Sequence, residues 1–82
     1  RLELARLHNA EQDWDRALAS YEKLISDRRF LPDVVDDLES LVEQDVELSR
    51  IYHMLGDAHM QQDQLDEALE MYRLARQQLT KR

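Results

Sequence analysis

Apolar residues recur along this chain at spacings of three and four, with polar residues between them, and that period predicts amphipathic helices throughout. The first is expected over Leu2–Glu11, with Leu4, Ala5 and His8 on one face. The second covers Asp13–Asp27, with a stripe of Trp14, Ala17, Leu18, Tyr21, Leu24 and Ile25. Arg28 and Arg29 follow it, where the helix dipole favours positive charge. Pro32 restricts Leu31 and opens a third helix, because proline's missing N–H is harmless in a first turn. Val34, Val35, Leu38, Leu41 and Val42 form its stripe, and it ends near Gln44. A fourth helix is expected over Val46–Gln61, with Leu48, Ile51, Tyr52, Leu55, Ala58 and His59 inward. The fifth covers Gln64–Lys81, with Asp63 as its N-cap and Leu65, Ala68, Leu69, Tyr72, Ala75 and Leu79 inward. Connections this short make consecutive helices pack antiparallel.

Composition sharpens this to an all-α fold in one domain, residues 1–82. Glycine and proline occur once each, β-branched residues are few, and strong helix formers dominate. Without cysteine there is no disulfide or thiolate metal site, which fits a cytoplasmic setting. No apolar run is long enough to span a bilayer. The chain opens at Arg1 without Met, so it is expected to be a piece of a longer protein. The net charge of -7 argues against a nucleic-acid partner, which binds basic faces. Residues 33–47 carry Asp33, Asp36, Asp37, Glu39, Glu43, Asp45 and Glu47 and no base, which equals that net charge. A solvated helix face explains such a run, and a docking strip for a basic partner is the alternative.

Sliding the chain against itself by 51 residues aligns Leu4 with Leu55, His8 with His59, Asp15 with Asp66, Ala17 with Ala68, Leu18 with Leu69 and Tyr21 with Tyr72. Ala5 meets Gly56, so a small residue is kept. On these positions the chain resembles the tetratricopeptide repeat family. The match is best in Tyr52-His53-Met54-Leu55-Gly56-Asp57-Ala58-His59 and Asp66-Glu67-Ala68-Leu69-Glu70-Met71-Tyr72. His59 replaces a common tyrosine. Residues 49–82 look like one full repeat, and 1–28 like a second, truncated at its start, with Arg1 where an aromatic is usual. The resemblance implies antiparallel helical hairpins of an α-solenoid: 1–28 a first hairpin, 29–45 an irregular middle helix, 46–82 a full hairpin. Repeats of this family recur every ~34 residues, so the offset exceeds the family period by about one helix. The homologous hairpins are then either related by something like a local two-fold, or residues 28–32 carry the chain across the stack.

The resemblance further implies a protein-interaction module whose groove holds a peptide or a partner's helix. Mapped by position, groove residues would be Arg6 and Asn9 on the first helix and Arg50, His53, Met54, Asp57 and Met60 on the fourth. A structural spacer or self-association segment of a longer array is the alternative. Some members clamp a carboxylate terminus, but His53 and Asp57 stand where the clamp needs Lys and Asn, and Asp57 would repel it. Met71 and Leu74, off the main stripe of the fifth helix, are candidate self-association residues for a homodimer. His53 with Asp57, and His59 with Asp63, have one-turn spacing but no third ligand, so no metal and no other cofactor is expected. No nucleophile constellation or glycine-rich phosphate loop is present, so catalysis is not expected either.

Overall fold

The computed structural model describes residues 2–80. Among them lie five α-helices: α1 Leu2–Ala10, α2 Trp14–Ser26, α3 Leu31–Glu43, α4 Leu48–Gln61 and α5 Leu65–Thr80. The expected last residue of the fifth helix, Lys81, lies outside the described residues. Each helix packs on the next, and α2 also packs on α4. The result is a slab with extents of 31 × 30 × 16 Å, one to two helices thick.

The helices end in one repeated way. After α1, the Asp13 N–H donates to the His8 carbonyl and the Gln12 N–H to Asn9. After α2, Arg29 donates to Leu24 and Arg28 to Ile25; after α3, Val46 to Leu41 and Asp45 to Val42; after α4, Gln64 to His59 and Asp63 to Met60. These are paired Schellman bonds, which satisfy the last carbonyls through a left-handed residue. That residue is Gln12, Arg28, Asp45 or Asp63, with φ of 60°, 56°, 63° and 59°. Asp63 therefore does not cap α5. It closes α4, and Gln64 precedes the first helical residue.

Two kinds of turn follow. The links after α1 and α4 carry one left-handed residue each. The links after α2 and α3 carry two, Arg28 with Phe30 and Asp45 with Glu47. The second kind recurs after about 17 residues, half the ~34-residue period of the family resembled. Helix α3 is thus one helix plus one turn. An odd number of reversals separates α1 from α4, so the two run in opposite directions while α2 and α4 run parallel. The contacts agree: Arg50, near the start of α4, reaches Asp15 near the start of α2. Asp57, Met60 and Gln61 share a hollow with Glu22, Ile25 and Ser26, near the ends of both helices.

The core is built from Ala17, Leu18, Tyr21, Leu24 and Ile25 of α2, Val34, Leu38 and Leu41 of α3, and Ile51, Met54, Leu55 and Ala58 of α4, with Leu2 and Ala5 of α1. Three helices touch α4, so its buried face wraps far enough round to enclose Met54, 1% exposed. Met54 is therefore a core residue and not a groove residue. The opposite holds for α5, which packs closely only on α4. It buries Ala68 and Ala75, half-buries Met71 and Leu74, and leaves Leu65, Leu69 and Leu79 exposed. A helix with one neighbour can bury only the stripe facing it. The leucines expected inward on α5 are consequently outside, as is Leu4 on α1. Met71, expected to be exposed, packs against the core.

Candidate functional site: a groove along the fourth helix

The outer face of α4 borders two hollows that share Glu22 and Tyr72. Ser49, Arg50, His53, Asp57, Met60 and Gln61 line them at helical spacing. Glu22, Ile25 and Ser26 of α2 form one wall, and Leu69, Tyr72, Arg73, Arg76 and Leu79 of α5 the other. The larger hollow is about 760 Å³ and the smaller about 400 Å³. The parallel run of α2 and α4 puts α2 into this role.

This face of α4 is positioned by contacts on both sides. The Arg50 guanidinium donates to Glu22 at 3.3 and 3.4 Å and lies 3.7 Å from Asp15, which ties α4 to α2. On the other side the Tyr72 hydroxyl donates to Asp57 Oδ1 at 2.6 Å. The Tyr72 ring lies over Gly56, where an added Cβ would come within 2.5 Å of it, so only glycine lets the ring sit this close. His53 Nδ1 is 3.4 Å from Asp57 Oδ2, and its ring centroid is 5.3 Å from that of Tyr72. Burial, and then the bond to Asp57, push the Tyr72 phenol up to about 12. The phenol is therefore a fixed donor at neutral pH, and Asp57 keeps acceptor capacity on its second oxygen. Arg73 pairs with Glu70 on its own helix, whereas Arg76 has no ion-pair partner among the described residues.

Of the residues expected to line a groove, Arg50 and His53 border the larger of these hollows and Asp57 and Met60 the smaller. Arg6 and Asn9 do not join them. Arg6 faces α3, donating to Asp37 through Nε at 2.8 Å and Nη2 at 3.2 Å, with Asp33 at 3.9 Å. Tyr21 donates to the same Asp37 carboxylate at 2.8 Å, and Asn9 borders neither hollow. The α1 face mapped as groove is thus taken up by α3. Periodicity missed Glu22, Leu69, Tyr72, Arg76 and Leu79 as lining residues. One signal for the α5 wall was present: Leu65, Leu69, Tyr72, Arg76 and Leu79 alternate spacings of four and three beside the stripe Ala68, Met71, Ala75. That is more apolar surface than one helix contact can cover.

His59 Nδ1 is 2.7 Å from Gln64 Oε1, and the half-buried His8 has Nδ1 without a hydrogen bond, 3.7 Å from Glu11. Among the described residues no group of three His, Asp or Glu is arranged to hold a metal ion. No helix among them is long and apolar enough to cross a membrane.

Two stretches of the chain match family models described as tetratricopeptide repeat, residues 2–32 and 49–75. The chain belongs to the tetratricopeptide repeat family. The two matches cover the hairpins α1–α2 and most of α4–α5, and α3 falls almost wholly between them. No curated protein and no solved structure matches the chain. The tetratricopeptide repeat is a helical repeat fold that generally supports protein–protein interaction.

Proposed function

We propose that this tetratricopeptide repeat domain binds a peptide or a helix of a partner protein in the groove floored by α4, between α2 and α5. The observation that carries the reading is the pairing of a rigid polar floor with an apolar wall. Asp57 and Tyr72 lock each other in place, while Leu69 and Leu79 stand 66% and 70% exposed beside them. Preorganised polar groups give orientation and uncovered apolar groups give affinity. We divide the chain into a first hairpin over 1–28, an inserted helix over 29–45 and a second hairpin over 46–82.

Selection from a displayed peptide library tests the reading. Selected peptides should perturb amide resonances of α4 and α5 and lose most of their affinity to Leu69→Gln. Selection of nothing, or of peptides that map away from these helices, would overturn it. A second reading, self-association, is favoured by exposed Leu65, Leu69 and Leu79, not by Met71 and Leu74, which are half-buried. A mass by light scattering that doubles with concentration, and returns to the monomer value with Leu69→Gln, would support that reading.

A further inference from the structure

The two hairpins are internal copies, so each residue of one can be compared with its counterpart in the other. Leu18 on α2 is 0% exposed; its counterpart on α5, Leu69, is 66% exposed. Trp14 is half-buried against the core, and its counterpart Leu65 is 56% exposed. The side chains are equivalent in position and apolar character. The difference lies in what covers them. The first hairpin's α2 is packed by both α3 and α4, whereas α5 packs closely only on α4, and α3 seats Asp37 on Arg6 and Tyr21. The molecule thus contains one example of a helix docked on this type of hairpin, with a carboxylate as its polar anchor.

On the second hairpin the anchor point keeps its tyrosine and reverses its charge. Tyr72 stands for Tyr21, but Asp57 stands for Arg6 and accepts the Tyr72 hydroxyl. The hollow beside it is lined by Asp57, Glu22, Ile25 and Met60 and includes no lysine or arginine. One turn further along α5, Arg76 replaces Ile25. We propose that the α4–α5 face binds an amphipathic helix of a partner protein as α3 docks on the first hairpin, with a lysine or arginine of that helix held by Asp57. This rests on the groove reading above and specifies the partner: an apolar stripe for Leu65 and Leu69, a base at the point matching Asp37, and an acid near Arg76. The net charge of -7 favours approach of a partner segment whose overall charge is positive. A second copy's α3 is the wrong occupant, since it would set Asp37 against Asp57.

The chain's own α3 supplies the probe. Two synthetic peptides of residues 31–43, one unchanged and one with Asp37→Lys, are titrated into isotope-labelled protein. Amide shifts report the place and strength of binding. The Asp37→Lys peptide should perturb α5 and the last turns of α4, and bind about tenfold more tightly than the unchanged peptide, as expected for a close charge pair. The order should invert on Asp57→Arg, which rebuilds the Arg6–Tyr21 arrangement. Should Asp57→Arg not fold by circular dichroism, Asp57→Asn decides, because it should bring the two peptides to near parity. Binding to this face with no charge preference overturns the proposal and leaves the groove reading intact. Binding of neither peptide, or shifts confined to other helices, overturns the proposal, and the library selection then judges the groove reading separately. Shifts on α5 that grow with protein concentration alone assign the face to a second copy and overturn the partner-helix proposal.

Discussion

Gly56 is the position where one methyl group decides most. A Cβ there would lie 2.5–2.9 Å from three atoms of the Tyr72 ring, and that ring is pinned at its far end by Asp57. Gly56→Ala gains about 1 kcal/mol of helix propensity but overpacks the contact at a cost of about 1–3 kcal/mol. The expected net effect is a loss of about 1 kcal/mol, read as a lowered urea midpoint. Adding Tyr72→Phe should recover part of it, since the ring can then tilt away. In the first hairpin Ala5 holds the corresponding position and, like Tyr21, is buried. Both tyrosines also make stability depend on alkaline pH. Burial and hydrogen bonding raise the folded phenols above their ordinary value of 10.0, Tyr72 to about 12 and Tyr21 further. Between pH 10 and 12 the unfolded chain has released protons that the folded chain retains. Stability should therefore be full below about pH 10 and fall as pH rises through this window. Tyr72→Phe should flatten the fall in chemical denaturation; an unchanged pH profile would mean that the phenol is not sequestered.

At the scale of elements, the helix ends are built against residue preference. Left-handed backbone disfavours side chains with a Cβ, and glycine is the usual occupant of a Schellman turn. Here Gln12, Arg28, Asp45 and Asp63 occupy it. Gln12→Gly and Arg28→Gly should each stabilise the domain by roughly 0.5–1 kcal/mol, from relief of left-handed strain less the entropy of glycine in the unfolded chain. Asp45→Gly and Asp63→Gly should gain less, since aspartate tolerates this conformation better. Thermal midpoints of the four single variants test the ranking, and a loss on Gln12→Gly would show that its side chain stabilises the turn in another way. The turns also explain why the helices were legible while their ends were not. Apolar spacing located all five helices to within two residues. It could not show that Asp63, a good N-cap by residue type, closes the preceding helix instead.

For the whole molecule, the decisive feature is that one helix, not a hairpin, lies between the two stretches that match the repeat. It makes α2 parallel to α4, brings Arg50 to Asp15 and Glu22, and creates the α2 wall of the proposed groove. A spin label on Ser26→Cys should broaden the amides of Met60 and Gln61 strongly. It should broaden those of Ser49 and Arg50 much less, since they lie roughly 16 Å further along the helix axis. The opposite pattern would mean antiparallel helices and would remove the groove as described. The same helix, α3, packs on α2 and α4 but not closely on α5, which gives two copies of one motif different surroundings.

What the sequence determined by itself was local or repetitive. The helical period, the near absence of glycine and proline, and the Leu4–Tyr21 and Leu55–Tyr72 correspondence are properties of neighbours along the chain. They suffice for an all-α fold and its family. Tertiary structure decided how many neighbours each helix has. Three close on α4 and bury Met54; one packs on α5 and leaves Leu65, Leu69 and Leu79 outside. The sequence left open whether a local two-fold or a crossing at residues 28–32 relates the hairpins, and the parallel run of α2 and α4 reverses the second relative to the first. The physical reason is that an apolar stripe states what a helix can bury, whereas the direction and number of its neighbours depend on the turns and packing of the entire chain.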